Sequence, residues 1–385
     1  MNNKFKLLLL LPLLTLSLSG CDWFSKSQGP QPTPLAAFNP TLALQERWAI
    51  STGAGNDGRY YQLTPALDGD TLFVDNLDGT VGAVDADTGQ KKWVVNLRTR
   101  LTSGMGAGQG LVFGGTDRGE VYALQQATGA LVWKTPVSSE VLAAPVVAGA
   151  LVLVKGEDDT VTALDAKTGA KKWSYNQQTP NLILRGGSSP QVAGNLVVVG
   201  FASGELTALK LQTGSQVWKG PIALPQGSSD IENMVDINDN IVIRDGVIYA
   251  ATYQGNVAAL ALNTGQILWR HKLSSYAGLA VGGQNIYVAD ADDTVWAFDK
   301  SSGNIVWKQT NLAYRGISGP ALFGNAVVVG DAEGYLHFLS RTDGQFLARF
   351  HVDNSGFYTT PVVANDKLYA FANSGRLAMF TVSST

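Results

Sequence analysis

A segment of about 40 residues recurs along most of this chain, and a tandem repeat of that period restricts the possible folds more than any other feature. Aligned on a tryptophan, the copies read VGAVDADTGQKKW (81–93), VYALQQATGALVW (121–133), VTALDAKTGAKKW (161–173), LTALKLQTGSQVW (206–218), VAALALNTGQILW (257–269) and VWAFDKSSGNIVW (295–307), with tryptophan spacings of 40, 40, 45, 51 and 38. A seventh copy, LHFLSRTDGQFLA (336–348), carries Ala348 in the tryptophan position, and an eighth, LAMFTVSST (377–385), stops before its turn. Each is preceded by a short β-rich run such as 151–154 or 326–329, often after a proline, as at Pro65, Pro145, Pro190, Pro320 and Pro361. Four short strands per repeat, with no stretch patterned for a helix, predict an all-β, eight-bladed β-propeller of four-stranded antiparallel blades.

The repeat makes physical sense inside a blade. In Asp85 to Gly89 or Asp165 to Gly169 the Asp and Thr side chains can cap turn amides while Gly takes a positive φ. The tryptophan then falls on the outer strand, where its ring can cover the seam with the next blade. Eight inner signatures but only seven turns leave the last blade without its outer strand. The unassigned strand Leu44 to Ile50, which contains Trp48, is expected to supply it and close the ring, so that no open end is left to aggregate.

Composition excludes several alternatives. Glycine is frequent (43 of 385) and charged residues are few (15%), as in a turn-rich, folded chain, and the net charge of −3 offers no counterion-driven grip on nucleic acid. One cysteine allows no internal disulfide and no multi-cysteine metal site. His271, His337 and His351 lie far apart without ligand spacing.

Residues 1–20 read as a cleaved signal peptide, with Lys4 and Lys6 ahead of an apolar run, 7–18, too short to span a bilayer. The lone cysteine follows in Leu18-Ser19-Gly20-Cys21, which resembles the lipobox of bacterial lipoproteins; an ordinary signal peptide with an incidental cysteine is the alternative. The stretch 21–40, with Pro30, Pro32, Pro34 and Pro40, then reads as a lipidated cysteine and tether, and 41–385 as the propeller. Several acyl chains on Cys21 would give stable anchoring.

No GxSxG, HExxH, P-loop or EF-hand pattern occurs. Gly53 to Gly58 formally fits GxGxxG but runs into 60–65 with no helix to present amides to a phosphate, so it reads as a blade connection. The acidic groups 157–159 and 290–293 occupy one hairpin slot in two repeats and are expected to be solvated turn residues rather than calcium ligands. Departures from the repeat are more informative. From each tryptophan to the next blade's proline equivalent the chain runs 10 to 13 residues, but 17 from Trp173 to Pro190 and 23 from Trp218 to Ile241. Both insertions join an outer strand to the next inner strand, so they are expected side by side on one face, where recognition tends to reside. The first contains Leu182-Ile183-Leu184-Arg185, which reads either as a binding patch or as side chains tucked under the loop.

The motif Ala-x-Asp-x-x-Thr-Gly-x-x-x-Trp, intact at 83–93 and 163–173 and with Ser for Thr at 297–307, resembles the repeat of the pyrroloquinoline-quinone (PQQ) propellers. One branch of that superfamily comprises the quinoprotein dehydrogenases, which are longer and carry a vicinal cysteine pair that this chain lacks. The lipobox, tether and single propeller are similar instead to the BamB family, lipoprotein scaffolds of the outer-membrane β-barrel assembly (BAM) complex. The resemblance implies a non-catalytic scaffold without a cofactor that aids folding and insertion of outer-membrane β-barrel proteins. It also implies BamA as partner, bound through its polypeptide-transport-associated (POTRA) domains by Leu182, Leu184 and Arg185. Asp236 matches the first of two family acids and Asn238 replaces the second; the alternative for Asp236 is a carboxylate that only caps its own loop. Nascent outer-membrane proteins are a further partner, by strand addition at blade edges. The expected location is the outer membrane, lipid-anchored and facing the periplasm, although Asp22 after the cysteine is an inner-membrane retention signal in enteric bacteria. A PQQ-binding enzyme or another periplasmic binding lipoprotein are the alternatives.

Overall fold

The computed structural model describes residues 30–238 and 241–383. Among them are 32 strands in eight four-stranded antiparallel sheets and no helix, and each sheet is one copy of the repeat. Blade 1 is built from Ala66–Asp68, Thr71–Asp75, Thr80–Asp85 and Lys91–Asn96, in that order from the inside outward. Blades 2 to 7 repeat the pattern over 106–136, 146–176, 191–221, 242–272, 279–309 and 321–351. Blade 8 takes three strands from the C-terminus, Val362–Ala364, Lys367–Phe371 and Arg376–Val382, and its outer strand from Leu44–Ser51. That closing strand pairs Leu44 with Val382 and Ser51 with Arg376, as the count of turns predicts.

The conserved spacing inside the repeat is a cross-strand pair. Ala83 faces Trp93, and the same Ala to Trp pairing recurs in blades 2 to 6, each followed by a register shift that bulges the outer edge. The small residue leaves room for the large one. The indole then leans onto the next blade: Trp133 Nε1 donates to the Ala166 carbonyl at 2.9 Å, and Trp93, Trp173, Trp218, Trp269 and Trp307 make the equivalent bond one blade further on. Beneath each ring sits the turn glycine. At Gly169, φ is +71° and a β-carbon would stand 2.7 Å from the Trp133 ring, so glycine is needed both for the turn and for the seam. The turn is capped as expected, with Thr88 N and Oγ1 both donating to Asp85 Oδ1.

The seam between blades 7 and 8 breaks this rule for a reason rooted in connectivity. Blade 8 has no hairpin before its outer strand, hence no glycine for a tryptophan to cover. The volumes are swapped, with Phe338 facing Ala348, and the gap is filled by Leu42 and Leu44, while Leu347 O accepts the amides of Thr41 and Leu42. Hydrophobic clusters lie between blades rather than within them: Phe73 and Val81 of blade 1 pack with Val112 and Leu124 of blade 2.

Two faces follow from the connectivity. The capped Thr-Gly hairpins emerge on one. Connections from each outer strand to the next inner strand emerge on the other, together with the turns between second and third strands; Leu97 N bonds Gly79 O, and Ile222 N bonds Gly204 O, as outer strands end there. The stretch 53–58 is such a connection, from blade 8 to blade 1, with Gly55 N on Asn76 Oδ1 and Asn56 Nδ2 on Asn373 Oδ1.

Two expectations need correction. The acidic turns are not simply solvated, because their last carboxylates serve the seams: Asp293 accepts the amides of Gly316 and Ile317, and Asp159, buried and paired with Lys155 at 2.9 Å in its own blade, accepts the Ala202 amide of the next at 3.2 Å. A charge hidden from water must find such donors. The proline-rich stretch is also not free throughout, since residues 33–42 lie against blades 6 and 7 through Phe38, Ala36 and backbone hydrogen bonds. Cys21 and Asp22 lie outside the described residues.

Candidate partner-binding face

The two long insertions, over their described residues 177–190 and 222–238, stand side by side on the connection face, as consecutive blades require. Their contact is specific. Leu184 N donates to Asp236 Oδ1 at 2.9 Å, Asn238 Nδ2 donates to Arg185 O at 3.4 Å, and Gly186 N donates to Glu157 Oε1 at 3.4 Å. Gly186, at φ +140°, leaves no room for a β-carbon beside the Asn238 amide, 2.8 Å away, so the first loop lies flat on the second.

The loop residues divide by what they face. Leu182 is 40% exposed and the Arg185 side chain 53%, whereas Ile183 and Leu184 are half-buried over a small cavity walled by Lys155, Glu157, Asp159 and Ile237. Both readings of the tetrapeptide therefore apply, the exposed ends to the first and the half-buried middle pair to the second. Arg185 does not float: Nη2 meets Glu140 Oε1 at 2.5 Å and Tyr61 Oη at 3.0 Å, and the guanidinium lies 5.0 Å from the Tyr61 ring centre. Tyr61, from the blade 8 to blade 1 connection, thus braces a cation presented by blade 3's exit loop.

Asp236 is only 2% exposed. Burial raises its carboxyl to about 6, against the Leu184 amide, which lowers it. Its Oδ2 is buried without a hydrogen bond, so the group can hold a loop but cannot reach an outside partner. Asn238 is half-buried and supports the Arg185 backbone with a neutral amide, a task that needs no charge. Glu157 is raised further, to about 7, again by burial first, with Lys155 opposing. The exposed residues are therefore Leu182 and Arg185, with Leu184 half-buried between them, and the layer beneath is Asp236, Asn238, Glu157, Glu140 and Tyr61. The last three escape a reading of the repeat because each looks like an ordinary turn or connection residue in its own blade. Among the described residues, no group of three or more His, Cys, Asp or Glu could hold a metal ion.

The buried acid makes a signed prediction. A folded-state value near 6 against an ordinary 3.8 means ionisation works against folding. Below pH 3.8 the group is protonated in both states and contributes nothing; the penalty grows up to pH 6 and then stays, on the order of 3 kcal/mol at most. Asp236→Asn keeps an acceptor for the Leu184 amide, so it is expected to be more stable than the parent at pH 7.5 and no more stable at pH 3.5 in urea unfolding. Equal or lower stability at pH 7.5 would contradict the buried, positioning role.

Comparison with known proteins agrees on one family. The sequence profile of the family described as "Outer membrane protein assembly factor BamB" matches residues 77–309. The chain is similar to the outer membrane protein assembly factor BamB of Yersinia pestis, 36% identical over 380 residues and covering 94% of this chain and 96% of that one. The Pseudomonas aeruginosa protein of the same name is 40% identical over 369 residues, covering 96% and 97%. In structure the chain resembles crystalline BamB from Moraxella catarrhalis, with a TM-score of 0.82, 29% identity and coverage of 88% and 99%. A quinohemoprotein alcohol dehydrogenase from Comamonas testosteroni shares the fold alone, at TM-score 0.71 and 15% identity.

Proposed function

This chain belongs to the BamB family of outer membrane protein assembly factors, and from that premise we propose that it docks on the POTRA domains of BamA, through Leu182, Leu184 and Arg185. It works at the periplasmic side of the outer membrane as an assembly factor and not as an enzyme. Cys21, lipidated after removal of 1–20, is its anchor, and Asp22 does not override that location. As a scaffold within the BAM complex it aids the folding and insertion of outer-membrane β-barrels, and nascent barrels are a second partner.

The observation that carries the docking site is the hydrogen bond from Leu184 N to Asp236, which fixes one insertion on the other and leaves Leu182 and Arg185 facing out. Arginine is among the residue types enriched at interface hot spots, and the exposed leucine beside it adds apolar area that a partner can bury. The arginine is already oriented by Tyr61 and Glu140, so little side-chain entropy is lost when a carboxylate of the partner replaces Glu140. Calorimetric titration of residues 22–385 with the purified POTRA domains of the cognate BamA tests the reading. Saturable binding is expected; its absence would refute the assignment of this partner.

A further inference from the structure

Among the described residues, a buried set of charges outside the two insertions lies at the seam of blades 6 and 7. Arg315, in the connection leaving blade 6, is 3% exposed and donates Nε to Asp331 Oδ2 at 2.9 Å and Nη2 to Glu333 Oε2 at 2.5 Å. Asp331 is fully buried and also meets His337 Nε2 at 2.8 Å. Burial lowers the His337 pKa, and Arg349 Nε donates to His337 Nδ1 at 3.2 Å, so the ring is neutral with its proton on Nε2 facing Asp331. Two arginines are thus aimed from behind by one carboxylate and one neutral imidazole.

Both point at the chain's own N-terminal segment. Arg315 Nη1 donates to Thr33 O at 3.0 Å, and Arg349 Nη1 donates to Ala36 O at 3.1 Å. Thr33 N donates to Ala313 O at 3.0 Å. Phe38 stacks on Phe346 at 5.3 Å, with the Arg349 guanidinium 5.1 Å from the Phe38 ring centre and 5.3 Å from that of Phe346. A proline-rich run cannot satisfy its own carbonyls by secondary structure, and here guanidinium groups do so. Passed from Leu42 back to Thr33, the segment climbs from Leu347 and Phe346, near the hairpin face, to Ala313 and Arg315 on the connection face.

We propose that Arg315, Arg349 and Phe346 form a built clamp for residues 33–38 that makes the chain leave the propeller on the face bearing the two insertions. Resting on the lipidation of Cys21, the proposal has a membrane consequence. The working tether is the stretch 22–32, reaching at most about 40 Å, where release of 33–42 would nearly double it. The clamp keeps the rim of blades 6 and 7 near the bilayer and the insertions, two to three of the eight blades away around the ring, turned to the same side.

The test uses the full lipidated chain in phospholipid vesicles and a strap variant, Thr33→Pro with Phe38→Ala, which alters only the segment and orphans no buried charge. Limited proteolysis with elastase should spare the Ala36–Ala37 bond, whose carbonyl Arg349 holds, in the parent and cut it at least about tenfold faster in the variant. With Cys21 acylated, a donor dye on Asn311→Cys (connection face) or Lys167→Cys (hairpin face) reports transfer to an acceptor lipid. Greater transfer from position 311 than from 167 is expected in the parent, falling on strap release. Cleavage at Ala36–Ala37 as fast in a parent that floats with vesicles as in the variant would overturn the clamp. Equal transfer from both positions, or transfer unchanged by the variant, would overturn the membrane consequence. Failure of the parent to float would refute the lipidation, and that consequence with it, while proteolysis still judged the clamp.

Discussion

Alanine at both Leu184 and Arg185 is expected to weaken binding to the POTRA domains by about 30-fold to 1000-fold, the loss of 2 to 4 kcal/mol that truncating a paired hot spot produces. Arg185 is largely exposed and Leu184 half-buried, so neither truncation is expected to unfold the propeller. The Arg185 to Glu140 pair has a half-exposed cation, so its contribution to stability is below about 1 kcal/mol. The Leu184 amide, which holds the loop to Asp236, remains in the variant. Calorimetry on both forms, with matched urea midpoints, reads the effect. Unchanged affinity in a folded variant would move the interface away from these loops. Asp236→Ala should also weaken binding, by releasing the loop, and Asp236→Asn should not; that contrast separates a positioning carboxylate from one that touches the partner.

Trp48→Ala should destabilise the protein by about 3 kcal/mol, the cost of truncating a large aromatic packed on a seam. Trp48 is the seam residue of the closing strand: its ring covers Gly89 of blade 1 and its Nε1 donates to Ala86 O at 3.3 Å. The same truncation at Trp133 removes equivalent contacts inside a covalently continuous pair of blades. The outcomes should differ in kind. Leu44–Ser51 has no neighbouring chain link to blade 8 and joins it through non-covalent contacts, namely pairing with Arg376–Val382, packing of Trp48 on Tyr369 and an Arg376 Nη2 shared by both Glu46 carboxylate oxygens, so loss of Trp48 should let the ends unzip locally. Hydrogen exchange over 376–382 should rise in Trp48→Ala and stay low in Trp133→Ala. Equal exchange in the two variants would mean that closure adds no local weakness to the ring.

The eight blades were readable because their signals are local. An alanine ten residues before a tryptophan, with Thr-Gly between, encodes a hairpin, a cross-strand pair and a seam within 13 residues. Even the exceptional Ala348 was visible, although its reason was not: one must see that the neighbouring blade ends without a hairpin before the missing indole makes sense. Ring closure followed from counting strands against turns. The adjacency of the insertions followed from their place in consecutive repeats.

What could not be read was every feature that depends on which distant side chains the closed ring brings together. Asp236 looked equally like a contact or a cap, and only its burial beneath Leu184 separates the two. Arg185 is oriented by Tyr61, 124 residues away, and Arg315 meets Thr33 across 282 residues. By itself, then, the sequence determined the strand, the turn, the repeat and the number of blades, because those rest on backbone conformation and on pairs a few residues apart. The tertiary structure alone decided which acids are buried and which arginines are aimed, and that the N-terminal segment is docked. Desolvation and hydrogen bonding are set by all the neighbours of a group, and those neighbours are known only once the ring has closed.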